Sequence, residues 1–157
     1  MDIPALKSFL VEANANGYAA NEARILPERP GFQELDFLKG DWYFRDSYAG
    51  HYMAPGQEVA YFKNQPVWAM SYSGGMKEQY FSDDYFVGET FKFLKEALLE
   101  MDPDKPYRGP TNYRREEWWY MSKVKGEIND FIGNEKIYNN NILVFEQNFI
   151  GGLIIDK

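Results

Sequence analysis

Apolar residues at the start of the chain recur with the period of an α-helix. Asp2 stands where a side chain can cap the first turn, and Pro4 lies in that turn, where the missing N–H of proline leaves no hydrogen bond unmade. The predicted apolar face consists of Ile3, Leu6, Leu10 and Ala13. The helix is predicted to end within the polar residues 14–17. Residues 17–33, which contain prolines and glycines, are predicted to form a loop.

Between residues 32 and 72 the pattern changes to a period of two, which predicts about three or four antiparallel strands. In the strand around residues 42–48, one face carries Trp42, Phe44, Asp46 and Tyr48. The next two strands are predicted to form a hairpin around residues 64–66. In that hairpin Glu58 shares a face with Phe62, and Trp68 shares a face with Tyr72.

The second half of the chain repeats this order of elements. Residues 73–75, with two glycines, are predicted to break the strand pattern. A second helix is predicted from Ser82 or Asp83 to about Met101, weakened in its first half by Gly88. Its apolar face consists of Phe91, Leu94, Leu98 and Met101. Further strands are predicted over residues 116–124, 128–138 and 142–149, with a hairpin turn at residues 139–141.

This succession predicts a single α+β domain over residues 1–157, in the order α-ββββ-α-βββ(β). We expect a strongly curved antiparallel sheet of about seven or eight strands in meander order, with two main helices packed on one face. The aromatic content, with 12 Phe, 12 Tyr and 4 Trp, also favours a sheet.

Composition excludes several classes of function. The net charge of −7 argues against direct binding of nucleic acid and against docking on anionic membranes. The chain has no cysteine and 1 histidine, which excludes disulfides, cysteine nucleophiles and multi-histidine metal centres. No phosphate-binding loop, dinucleotide fingerprint or calcium loop occurs, so we expect no cofactor and no metal. No targeting signal or long apolar run is evident, so the expected location is the cytoplasm.

The acidic residues within the aromatic-rich strands are the first candidates for chemistry. They are Asp46, Glu58, Glu116 and Glu146. A carboxylate on an aromatic-lined concave face could bind a cation, an amine or a sugar hydroxyl, or act as one of a glycosidase acid pair. The alternative is that these acids lie on the solvated face of the sheet.

Two further residues have a functional and a structural interpretation each. His51, in a turn, could act as a base with Asp46 or Glu58 as its partner, or it could be an exposed turn residue. Arg108, between Tyr107 and Gly109 in a proline-bounded loop, could clamp a ligand carboxylate or phosphate. It could equally tie the loop to an acid of the chain itself.

Several short segments together resemble a known family. They are Phe9–Ala13, Gly40-Asp41 with Tyr43, Asp46–Tyr48 with Gly50, Gly56 with Glu58-Val59, Pro66–Trp68 with Met70, Tyr72–Gly74, Pro106–Pro110 and Gly151–Ile154. The chain resembles an uncharacterised bacterial family, a domain of unknown function found alone or as the C-terminal domain of some helix-turn-helix regulators of the phage-repressor (XRE) type. The resemblance implies a bacterial cytosolic domain and, where such a fusion exists, a sensory or oligomerising role. It implies no activity and no catalytic residues.

Our leading hypothesis is a non-catalytic binding module that takes a small molecule or a peptide in an aromatic-lined concavity of the sheet. The expected ligand-binding residues are Trp42, Asp46, Tyr48, Glu58, Trp68, Tyr72, Tyr107 and Arg108. Aromatic rings would stack on the ligand, the two acids would accept its hydrogen bonds, and Arg108 would close the rim. The alternatives are a carboxylate-based hydrolase and a structural or oligomerising module, and a homodimer stays open.

Overall fold

A computed structural model describes residues 1–20 and 24–156 of the chain. It contains two helices and eight strands in the order α-ββββ-α-ββββ, which confirms the predicted α+β fold. The first half comprises α1 (Ile3–Asn16), β1 (Gln33–Lys39), β2 (Trp42–Tyr48), β3 (Gly56–Phe62) and β4 (Gln65–Met76). The second half comprises α2 (Asp84–Leu99), β5 (Asn112–Arg115), β6 (Trp118–Glu127), β7 (Asp130–Asn139) and β8 (Ile142–Leu153).

All eight strands form one open antiparallel sheet in the order β1-β2-β3-β4-β8-β7-β6-β5. Each half of the chain contributes a four-stranded meander. The two meanders meet where β4 pairs with β8, so the last strand of each half lies at the centre of the sheet. Long central strands therefore carry residues from both halves to neighbouring positions.

The helices form for the reasons that the sequence indicates. The Asp2 side chain accepts a hydrogen bond from the N–H of Ala5 and caps α1. In α2, Asp83 caps the first turn by accepting from the N–H of Phe86. The helix continues through Gly88, and its packed apolar residues offset the low helix propensity of glycine. Both helices pack on the same face of the sheet, which we call the inner face; the opposite side is the outer face.

The largest departure from the sequence prediction lies at residues 73–75. They do not break the strand, because β4 continues to Met76 in register with β8. Here Gly75 has a φ of 156°, and a Cβ atom on it would lie 2.0 Å from the carbonyl oxygen of Tyr52. The glycines therefore let another segment approach the strand closely instead of ending it. The short strand β5 is also an addition to the prediction.

The predicted loop over residues 17–33 is structured in part. A 3-10 turn covers Tyr18–Ala20, and Ile25 forms an antiparallel bridge with Glu34 of β1. Residues 21–23 of this predicted loop lie outside the described residues. In the part of the chain that the structure describes, no helix is long and apolar enough to cross a membrane.

Candidate functional site

Strand alternation builds a row of polar side chains across the inner face. Asp46 of β2 lies opposite Glu58 of β3 in the strand register, and Gln147 of β8 lies opposite Glu135 of β7. Each has the same parity as the buried apolar residues of its strand, so the pleat directs it toward the helices. Tyr72 of β4 stands between the two pairs. Because the row is enclosed, each of its polar groups needs a partner.

The loop between α2 and β5 brings Arg108 to this row. Gly109 packs so closely on Tyr120 that a Cβ atom there would lie 2.8 Å from the ring. The guanidinium of Arg108 donates from Nε and Nη2 to one oxygen of Glu135, at 3.2 and 2.9 Å. Its Nη1 donates to Glu58 at 3.2 Å. Arg108 thus ties its loop to acids of the chain, the second of the two roles that the sequence left open.

Glu135 is the most completely bonded member of the row. Its exposed fraction is 0%. The Tyr120 hydroxyl donates to one carboxylate oxygen at 2.6 Å, and the Gln147 amide donates to the other at 3.1 Å. Together with the bonds from Arg108, these contacts occupy both oxygens. Glu135 therefore holds the guanidinium of Arg108 in a fixed orientation.

Asp46 and Glu58 are bonded less completely. The Tyr72 hydroxyl donates to Asp46 at 2.6 Å. Gly56 leaves room for that hydroxyl, since a Cβ atom at this position would lie 2.4 Å from it. Glu58 accepts from Arg108 through Oε1, and no residue among 1–20 and 24–156 donates to its Oε2. That oxygen is therefore open to a hydrogen bond from a bound molecule.

A cavity of about 60 Å³ lies between the polar row and the helices, and we call it the inner cavity. Its charged lining consists of Asp46, Glu58 and Arg108. Its aromatic walls are Tyr18, Tyr48, Tyr72, Phe91 and Phe145. Since one water needs roughly 10–15 Å³ of such volume, the cavity has room for about four waters or a small organic group.

The environment of the cavity shifts the acid equilibria of its two carboxyls. Burial raises the pKa of Glu58 to about 8, and the attraction of Arg108 only partly opposes it. Burial also raises the pKa of Asp46 to about 6, against the hydrogen bond from Tyr72. Burial thus favours the protonated form of both carboxyls, and it does so more strongly for Glu58 than for Asp46. Two neighbouring carboxyls with different pKa values can divide the roles of proton donor and proton acceptor.

The described residues do not offer a metal site. Within residues 1–20 and 24–156, no three His, Asp or Glu side chains come close enough together to hold a metal ion. The acids of the row are directed to Arg108, to tyrosine hydroxyls and to the cavity. The arrangement is suited to hydrogen-bonding and charge recognition of a small molecule.

Five of the eight expected ligand-binding residues line the inner cavity: Asp46, Tyr48, Glu58, Tyr72 and Arg108. The other three belong to the packing of the core. Trp42 stacks on Phe9 with ring centroids 5.1 Å apart. Trp68 and Tyr107 are buried on either side of Phe131, with ring centroids 5.9 and 4.3 Å from it.

The remaining candidates lie elsewhere. His51 is exposed and contacts the rings of Tyr52 and Phe91, whereas the hydrogen bonds of the two cavity acids go to other residues. Glu116 is an exposed residue of the β5–β6 turn. Glu146 lies on the outer face, in ion pairs with Lys77 and Lys136. Of the four acids considered, the inner cavity thus contains two.

Sequence reasoning missed several residues of the site, namely Asn14, Tyr18, Tyr120, Glu135 and Gln147. A usable signal existed for Glu135, which has the same parity as Phe131 and Ile137 in its strand. The contributions of Asn14 and Tyr18 depend on how α1 and the turn after it dock, which strand alternation does not reveal.

Residues 46–154 match the model of a family described as a domain of unknown function, DUF5680. The chain belongs to this family. The matched region contains the charged residues of the inner cavity and the whole polar row. No curated protein and no solved structure matches the chain significantly. The predicted bacterial origin and the association with helix-turn-helix regulators stay predictions.

Proposed function

We propose that this protein is a binding module for a small ligand, which occupies the inner cavity. The observation that carries the proposal is the meeting of Asp46, Glu58 and Arg108 at one cavity with aromatic walls. Ligand pockets are typically built in this way, from apolar and aromatic walls with a few convergent polar groups. A sensory use of such binding agrees with the regulators that the resemblance suggests.

The state of Glu58 supports a ligand over a purely structural role. The Glu58 side chain keeps 14% of its surface exposed and lines the cavity, so a molecule in the cavity can reach it. Glu58 has one oxygen without a donor among the described residues. The small cavity volume, about 60 Å³, favours a small molecule or the end group of a larger one over an extended peptide.

The test is a thermal-shift screen of metabolites and fragments, followed by amide NMR of the labelled protein. A ligand at about 100 times its Kd stabilises the folded state by roughly 2.7 kcal/mol and raises the melting temperature measurably. We expect saturable chemical-shift changes at the amides of Gly74, Gly75 and Gly109, which border the cavity and its arginine. A flat screen, or shifts confined to the outer face, would contradict the proposal.

A matched pair of variants connects a hit to the cavity. Tyr72→Phe removes the hydroxyl that donates to Asp46 and should weaken binding about five- to tenfold, as expected for one hydrogen bond of ~1 kcal/mol. Tyr43→Phe makes the same change on the outer face, where the hydroxyl contacts Asp36 at 3.3 Å. This control should leave the affinity unchanged. Equal effects of the two variants would place the ligand elsewhere.

The second candidate function is the carboxylate hydrolase. One observation favours it: Asp46 and Glu58 are directly opposite in the register, and their pKa values are raised to about 6 and about 8. Such a pair can divide the roles of base and acid. Its test is a screen with chromogenic glycosides and esters, in which Glu58→Gln and Asp46→Asn should each abolish turnover. Turnover that survives both substitutions would exclude this role.

A further inference from the structure

We propose that the ligand of the inner cavity presents a positively charged nitrogen, of the alkylammonium or amidinium class, to Glu58 and Asp46. This inference rests on the proposed binding function and specifies the chemistry of the ligand. It is carried by the imbalance of charge around the cavity, by an acid oxygen without a donor, and by the aromatic walls. Each of these observations is independent of the others.

The charges of the buried cluster do not balance. We define the inner cluster as Asp46, Glu58, Arg108 and Glu135, in which three carboxyl groups surround one guanidinium. Arg108 directs two of its N–H groups to Glu135, which is fully enclosed, and one to Glu58. One buried cation matches one buried anion. The other two acids must either bind protons or be matched by a cation from outside.

One carboxyl group of the cavity lining has an oxygen that accepts no hydrogen bond from the described residues. Glu58 lines the cavity, and its Oε2 accepts from no residue in the described ranges 1–20 and 24–156. Asp46 lines the same cavity from the opposite strand. Both carboxyls are therefore within reach of a donor bound in the cavity. An N–H of a cation is the donor that such a pair favours most, since charge-assisted bonds are roughly twice as strong as neutral ones.

The walls are also suited to a cation. Three tyrosines and two phenylalanines line the cavity: Tyr18, Tyr48, Tyr72, Phe91 and Phe145. Aromatic rings attract cations, and two of these rings already do so within the chain: Lys95 Nζ lies 4.7 Å from the Tyr18 ring centroid and Arg108 Cζ lies 5.4 Å from that of Tyr72. The volume of about 60 Å³ sets the size of the group at a few heavy atoms. A small ammonium or amidinium group matches the excess of acid, the aromatic lining and the volume of the cavity.

Charged and titratable groups from several elements surround the cavity acids. Arg108 attracts its charge, while Asp46 of β2 and Glu135 of β7 repel it. The hydroxyl of Tyr72 on β4 bonds to Asp46. Toward the rim, Lys95 of α2 lies over the ring of Tyr18, with Nζ 4.7 Å from its centroid.

The exposed Arg24, also at the rim, donates to the Tyr48 hydroxyl at 3.3 Å. Burial raises the pKa of Glu58 to about 8 and so favours its protonated form. A bound cation would displace this proton. Binding of the cation is therefore coupled to proton release near neutral pH.

The decisive experiment compares three probes of nearly the same planar shape: acetamidinium, acetamide and acetate, which carry charges of +1, 0 and −1. Titrations are followed by amide NMR of the full chain at pH 6, 7.5 and 9. For a ligand of four heavy atoms, we expect Kd values from about tens of micromolar to millimolar. We expect acetamidinium to bind at least tenfold more tightly than the other two probes. Its affinity should rise with pH by up to tenfold per unit below pH 8.

Two variants with the same chemical change serve as test and control. Glu58→Gln keeps the side-chain shape and an acceptor for Arg108, and it should weaken the preference for the cation at least fivefold and remove the rise in affinity between pH 7.5 and 9. Glu146→Gln removes a carboxylate from the outer face, where it pairs with Lys77 and Lys136. The control should leave both properties intact. Because Glu58→Gln relieves a buried excess of acid, we expect this variant to fold.

The outcomes separate this inference from the proposed function. Equal binding of acetamide and acetamidinium would overturn the cation inference and leave the binding function standing. Tightest binding of acetate would also overturn it and would identify Arg108 as the anchor. Absence of binding by all three probes overturns it as well. The binding function then fails only if the broader thermal-shift screen is flat.

Discussion

Two clusters of acids and arginines lie on opposite faces of the same strand, and they differ in their balance of charge. In β2, Arg45 points to the outer face and its neighbour Asp46 to the inner face. We define the outer cluster as Glu28, Arg29, Glu34 and Arg45, with two acids and two arginines. The inner cluster has three acids and one arginine.

The outer cluster is closed by the chain itself. Glu34 is 1% exposed, yet it accepts from Arg45 and from the Ser47 hydroxyl at 2.9 Å. Burial opposes its ionisation, but the bonds from Arg45 and Ser47 outweigh burial and hold the pKa of Glu34 below its usual range. In the inner cluster, burial raises the pKa of Asp46 and of Glu58, and the attraction of Arg108 only partly opposes it. The outer cluster pairs equal numbers of acids and arginines, whereas the inner cluster has more carboxyl groups than cations and lies beside a cavity.

The largest expected effect comes from removing the single inner cation. Arg108→Met leaves Glu58 and Glu135 without their shared guanidinium and should lower the free energy of unfolding by roughly 3–5 kcal/mol, measured by urea denaturation at pH 7. The matched change Arg45→Met in the outer cluster should cause roughly half that loss. There, Arg29 and Ser47 still contact Glu34. Equal losses would show that charge balance does not distinguish the clusters.

The second effect is the pH dependence of stability. Because the folded-state pKa values of Asp46 and Glu58 lie above their unfolded values, the folded protein holds more protons between about pH 4 and 8. The contribution of these acids to stability therefore falls as the pH rises through this window. Glu58→Gln should raise the stability at pH 9 by on the order of a few kcal/mol, because it removes a carboxyl that ionises there against the cost of burial. The substitution should change the stability little at pH 4.5. Thermal denaturation at both pH values is the measurement, and a larger gain in stability at pH 4.5 than at pH 9 would contradict this account.

The same substitution in the outer cluster should act in the opposite direction. The lowered pKa of Glu34 contributes stability that is present above its unfolded pKa and is lost as the pH falls through the folded value. Glu34→Gln should therefore lower the stability by about 1.5–2 kcal/mol at pH 8, since hydrogen bonds to a charged group are weakened. The difference should vanish toward pH 3. Stabilisation by this variant at pH 8 would break the comparison of the two clusters.

The smallest expected effect concerns single tyrosine hydroxyls. Tyr120→Phe removes a donor to Glu135 and an acceptor for the N–H of Gly109, and it should lower the stability by about 1 kcal/mol. Tyr43→Phe removes an exposed contact to Asp36 and should change the stability by less than about 0.5 kcal/mol. Urea denaturation of both variants is the measurement. Similar losses would mean that burial does not strengthen the inner contacts.

Part of this site was predictable because strands place alternate residues on one face. A period of two assigned Asp46 to the face of Trp42 and Glu58 to the face of Phe62, and the register places both on the inner face. The same rule would have assigned Glu135 to the face of Phe131. Trp42, Trp68 and Tyr107, which pack in the core, show the limit of the rule. Parity shows that Trp68 is buried, but it does not show whether a buried ring lines a cavity or fills the core.

The order of elements followed from the periodicity and capping of the chain, which are local properties. What surrounds a given residue is a non-local property and appeared only in the tertiary structure. The pairing of β4 with β8 brings Tyr72 near Gln147, and the loop after α2 brings Arg108 to Glu58 across 50 residues of chain. Gly75 looked like a strand breaker until its close contact with Tyr52 was visible. Local sequence thus determined the elements, whereas the charge imbalance and the cavity arose from packing two meanders and two helices together.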